Sequence, residues 1–153
     1  MNYEKYNNVS ANSNFLKYEF NSFGPKGVIQ KCIHFTETSN AQIFNLAFGN
    51  LLENGSIDDL AIDNNLDRNK ILATVVSIIY EFSYHYPEKW VFFCGSTIER
   101  TRLYRMAITT NFEELSNDFE ILGVIDDIEL GFVYKPFQKG INYFGFLIKQ
   151  KNS

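Results

Sequence analysis

KYEFNSFGPKGVIQKCIHF, residues 17–35, decides the fold. Tyr18 and Phe20 point one way, with Leu16 before them, while Lys17, Glu19 and Asn21 point the other. That period of two is the mark of a half-buried strand. Gly24-Pro25-Lys26-Gly27 then turns the chain. A second alternation follows, Ile29, Ile33 and Phe35 against Gln30, Cys32 and His34. Two strands joined by so short a turn must run antiparallel.

Downstream, TETSN (36–40) turns the chain again, and Phe44, Leu46 and Phe48 mark a third strand ended by Gly49-Asn50. Residues 51–67 are a transition zone with room for one short strand or a turn. Asp67 then has the chemistry of a helix N-cap, with Leu66 and Ile71 spaced as a hydrophobic staple. Ile71, Leu72, Val75, Val76, Ile79 and Phe82 recur at helical spacing, so a helix is predicted over 68–85, stopped by Pro87. KWVFFC (89–94) has the continuous apolar character of a central strand. A second helix is predicted over 97–110, with a further helical turn at NFEEL (111–115). FEILGVI and IELGFVY flank Asp126-Asp127 as a hairpin, and INYFGFLIK (141–149) is a last strand. Strands are segregated from helices rather than alternating with them. The expected class is therefore α+β, a mainly antiparallel sheet, strongly curved or barrel-like, with two main helices. Residues 1–13 read as a loose polar tail and 14–150 as a single domain.

Aromatic residues are dense, with 15 Phe and 9 Tyr, which favours a sheet-rich core. A formal charge of −4 argues against a general nucleic-acid coat, though a local basic site is compatible with it. The N-terminal residues lack a secretory pattern, and no apolar run approaches the ~20 residues that cross a membrane. Two cysteines, Cys32 and Cys94, fit a reducing, cytoplasmic setting.

One junction carries chemistry. In FFCGSTIERTRLYR (92–105) an apolar strand breaks at Gly95 and a helix with three arginines begins. Ser96 with Glu99 forms a capping-box pattern, a sufficient structural cause for both. A helix start also offers unpaired N–H groups and positive potential to an anion, and Gly95 allows close approach. At ~100° per residue, Arg100 falls on the apolar side with Leu103, Tyr104 and Ala107, whereas Arg102 and Arg105 fall opposite. A partly buried Arg100 requires a partner: a carboxylate from the 58–67 segment, or a ligand phosphate. The pattern is not a P-loop.

The acidic stretch IDDLAIDNNLDRNK (57–70) is the other candidate. Asp63, Asn65 and Asp67 match the first half of an EF-hand loop. The match fails at Arg68, where glycine is required, and at Thr74, where the bidentate Glu belongs. Turn and capping roles are the commoner use of such residues. His34 and His85 have no metal-ligand partner at a known spacing, and no nucleophile motif surrounds Cys94. No metal site and no cofactor are expected. The candidate ligand-binding residues are Gly95, Ser96, Thr97, Arg100, Arg102, Tyr104 and Arg105, with Asp59, Asp63 and Asn65.

FNSFGPKGVIQK, FNLAFGN, the IDD…DNN…ATV series and above all GSTIERTRLYRM resemble a family of small bacterial proteins, common in Bacteroidota, catalogued as a domain of unknown function. The resemblance covers about residues 13–149. It implies a bacterial cytoplasmic protein and carries no catalytic residue.

Three functions remain in competition. The leading one is a binding module for a phosphate-bearing ligand, a nucleotide or short single-stranded nucleic acid, with arginines on phosphate and aromatics on bases. The second is a small RNA-cleaving or phosphoryl-transfer enzyme of toxin-like kind, with His34 or an Asp as base. The third is a protein-interaction subunit or homodimer that uses the aromatic surplus as an interface.

Overall fold

The computed structural model describes residues 4–60 and 63–151. Along these the order is β1 (Ser10–Ala11), β2 (Lys17–Gly24), β3 (Gly27–Glu37), β4 (Ile43–Leu51), β5 (Ile57–Asp58), α1 (Arg68–His85), β6 (Trp90–Phe93), α2 (Ile98–Thr110), α3 (Phe112–Asp118), β7 (Phe119–Asp127), β8 (Gly131–Pro136) and β9 (Gly145–Gln150). The strands hydrogen-bond in the order β1-β2-β3-β4-β6-β9-β7-β8, with β5 on β4. The class is mixed α and β with a mostly antiparallel sheet. β4 and β6, separated in sequence by β5 and α1, form a parallel pair. The sheet is not closed, which corrects the barrel-like expectation. Closure needs the outermost strands to pair, but β1, two residues long, bonds only β2, and β8 bonds only β7.

The chain divides into two compact units. The first comprises Met1–Thr36 and Leu46–Tyr86, the second Glu37–Asn45 and Pro87–Ser153. In the first unit β2 and β3 form the expected antiparallel hairpin, with Tyr18 opposite Ile33 and Gly24 opposite Gly27. Gly27 has φ +88°, which glycine adopts without strain. Tyr18, Phe20 and Ser22 are buried, and so are Ile33 and Phe35. Cys32, expected on a polar face, is wholly buried as well. Phe82 of α1 stacks on Phe35 at 4.1 Å.

α1 begins where the sequence put it, but for another reason. Asp67 stands at the N-cap position without a side-chain cap bond. Its Oδ2 instead accepts hydrogen bonds from Tyr6 OH and Ser22 Oγ, both at 2.5 Å. No staple forms, because Leu66 is exposed and has φ +59°. The buried face of α1 is Thr74, Val75, Ile78, Ile79 and Phe82; Ile71, Leu72 and Val76 lie at its margins. Of the residues read as a loose tail, Tyr6 is buried, its N–H donates to Thr74 Oγ1 at 2.8 Å, and Ser10–Ala11 pair with β2. Residues 1–3 lie outside the described residues.

In the second unit β6 runs between β4 and β9, and β9 lies between β6 and β7. Phe93 packs on Phe146 and, edge-on at 5.4 Å, on Tyr104 of α2. The hairpin of β7 and β8 turns later than expected, at Ile128–Leu130. Asp127 Oδ1 accepts the N–H groups of Glu129 and Leu130 at 2.9 Å, and Gly131 has φ +74°. A three-residue loop closed by a left-handed glycine is a common hairpin turn.

Candidate ligand-binding cleft

β6 delivers the chain to Cys94-Gly95-Ser96, from which α2 rises. Thr97, in extended conformation, is the N-cap, and its Oγ1 accepts the Arg100 N–H at 3.2 Å. The predicted Ser96–Glu99 box therefore shifts by one residue. With Thr97 as cap, the third helical position is Arg100, which has no carboxylate to complete a box. Gly95 is required by its own helix. A Cβ there would overlap Thr101 N and Arg100 Cβ. Its N–H donates to Thr101 Oγ1 at 2.8 Å, and that hydroxyl lies 3.2 Å from Thr97 O. The turn and the first helical turn are thereby held as one rigid corner.

This corner forms one wall of a cleft of about 570 Å³. Cys94 to Ile98, Thr101, Arg102 and Arg105 line that wall. The opposite wall is Ile125 and Asp126 of β7 with Asn142, Tyr143 and Phe144. Tyr143 fixes the second wall: its ring occupies the space that a Cβ on Gly123 would need, and its OH accepts the Gln138 N–H at 2.9 Å. Arg105 ties the walls together, donating from Nη1 to Asn142 Oδ1 and, at 3.4 Å, to Ile141 O. Arg102 is exposed on the cleft and has no carboxylate within ion-pair distance among the described residues.

The cleft can thus offer one uncommitted guanidinium, a second one anchored by an amide, and the positive potential of a helix start whose Arg100 N–H is already capped by Thr97. Among the described residues Asp126 is its one lining carboxylate. Burial pushes the Cys94 thiol up, so that it is neutral near pH 7.

Residues 2–151 match a family described as a family of unknown function, DUF6934. The chain belongs to that family. No curated protein and no solved structure matches it.

Of the candidate residues read from the sequence, Gly95, Ser96, Thr97, Arg102 and Arg105 line this cleft. Arg100, singled out by the helical wheel, is half-buried and does not line the cleft, whereas Arg102 and Arg105 do. A wheel records one helix and cannot register a second wall built from residues 125–126 and 142–144. Tyr104 is a core residue, buried against Phe93. Asp59, Asp63 and Asn65 belong to the first unit and are absent from the lining. Asp63 pairs there with Lys31 and accepts from Asn50 Nδ2 at 3.1 Å. Asn65 donates to Ser22 Oγ and Gly27 O, both at 3.1 Å, and its Oδ1 accepts the Lys26 N–H at 2.8 Å. Asp59 is exposed. Both histidines also belong to the first unit, His85 stacked on Phe15 at 3.6 Å. Among the described residues no group of three or more His, Cys, Asp and Glu could hold a metal ion. No described helix is long and apolar enough to cross a membrane.

Asp126, Asn142, Tyr143 and Phe144 were missed. Asp126 reads as a turn residue in sequence but belongs to β7. The one available signal was Gly123, a glycine inside a strand pattern, which marks a close approach by another group.

Proposed function

We propose that the chain binds a phosphate-bearing ligand, a nucleotide or a short single-stranded nucleic acid, in the cleft at the start of α2. The observation that carries this reading is Arg102: a guanidinium on a cleft, without an ion-pair partner among the described residues, beside an Arg105 held in position by Asn142. Guanidinium groups bind phosphate oxygens in bidentate fashion, and the helix start adds favourable potential for the same charge. Phe144, part-exposed on the opposite wall, offers a ring face for a base. Asp126 favours a ligand whose phosphate lies on the arginine side and whose sugar or base donates on the other.

The enzymatic alternative has less support. General acid–base cleavage of RNA needs a titratable pair near the scissile phosphate, and the cleft lining supplies Asp126 and a neutral thiol. Thermal shift against phosphate, mononucleotides and oligonucleotides tests the binding reading. A ligand at 100 times its dissociation constant adds about 2.7 kcal/mol, and each kcal/mol moves the midpoint by roughly 2–4 °C in a chain this long. Arg102→Ala is expected to abolish the shift while leaving the unliganded midpoint in place. A panel that shifts nothing contradicts the reading.

A further inference from the structure

β8 is an edge strand, bonded among the described residues to β7 alone. An edge carries a row of unpaired N–H and C=O groups, which monomers usually shield with charges, proline or very short strands. Here Pro136 closes the strand and Lys135 is the one charge on Gly131–Lys135. The same hairpin exposes large apolar side chains: Ile128, Leu130, Phe132 and Tyr134 are 103%, 75%, 55% and 53% exposed. Phe132 also lies 5.2 Å from Phe144, so the aromatic surface continues beyond the strand. Exposed apolar side chains beside an unpaired strand edge are a feature of interaction surfaces.

The charge pattern selects the occupant. Asp127 and Glu129 stand at the turn end of β8, and Lys135 and Lys139 at the other end. We propose that β8 pairs antiparallel with β8 of a second copy of this chain. Centred on Val133, a two-fold pairing sets Phe132 opposite Tyr134 of the partner copy, twice, on one face. Aromatic cross-strand pairs are the stabilising kind. The same register puts Lys135 opposite the partner copy's Gly131, beside the turn that carries its Glu129. The surface is thus complementary to itself in hydrogen bonding, in apolar contact and in charge. A parallel pairing would instead bring acid to acid. An isologous contact of this kind closes on two copies and leaves no further edge at β8.

Sedimentation of the full chain across micromolar to millimolar concentrations tests this. The expected result is a reversible monomer–dimer equilibrium. Glu129→Lys and Lys135→Glu should each weaken it about tenfold, since each change alters two symmetry-related pairs, and the double variant E129K/K135E should restore it. Phe132→Asp should leave a monomer. Melting curves for E129K and K135E, both at exposed positions, separate loss of pairing from loss of fold. A chain that is monomeric throughout overturns the proposal, as does a dimer that none of these changes weakens. A monomeric chain whose oligonucleotide binding is lost in Phe132→Asp also overturns it, because the strand then serves a nucleic acid.

Discussion

A lysine stands on the core face of β3. Lys31 is 5% exposed and alternates with Ile33 and Phe35 on the side that faces inward. Its ammonium bonds to Asp63 and, at 2.6 Å, to Asn50 Oδ1. Burial raises the Asp63 carboxyl, but the hydrogen bonds from Lys31 and Asn50 and the charges of Lys31 and Lys26 outweigh it, so that the group titrates below its ordinary 3.8. A depressed folded value gives stability that is full above the ordinary carboxylate range and is lost as pH falls through the lower value. Lys31→Met should cost about 2 kcal/mol near neutral pH, the size expected for stranding a part-buried carboxylate, and should flatten the acid limb of a stability–pH profile. A profile unchanged by the substitution contradicts this account. Leu66 points the other way. It is exposed with φ +59°, a region that costs a β-carbon residue roughly 1 kcal/mol. Leu66→Asn should therefore raise the unfolding free energy by several tenths of a kcal/mol or more, measured in denaturant.

At the scale of elements, boundaries were more legible than their causes. α1 over 68–85, α2 to 110 and the β2–β3 hairpin all follow from periodicity and turn chemistry. The reasons at the ends did not follow, because they are tertiary. Asp67 is diverted from capping by Tyr6, which is 61 residues away in sequence. Gly95 is fixed by Thr101, six residues on. Thr97→Ala should remove the α2 cap for about 1 kcal/mol, and it alters the cleft wall as well. Gly123→Ala tests the opposite wall. The methyl group must displace Tyr143, so both stability and ligand binding should fall together. A variant that keeps full binding would show that Tyr143 does not hold that wall.

For the molecule as a whole, a formal charge of −4 accompanies a local basic corner made by Arg102 and Arg105, and the proposed binding rests on that corner. The site was half legible in sequence. The strand–Gly-Ser-Thr–helix junction announced itself, but which arginine faces the cleft depends on residues 125–126 and 142–144, whose approach no local pattern encodes. The thiols give a direct readout of that cleft. Cys32 is wholly buried, and burial pushes its thiol up to about 11, whereas Cys94 is half-buried in the cleft lining. In the native chain one thiol should react with an alkylating agent, and two after unfolding. The decisive measurement is the alkylation rate of Cys94 with and without phosphate, nucleotides and oligonucleotides, in the native chain and in Arg102→Ala. The account predicts that a bound phosphate-bearing ligand slows labelling in the native chain and has no effect in Arg102→Ala. Labelling that no member of the panel slows, or that slows equally in both proteins, would contradict it.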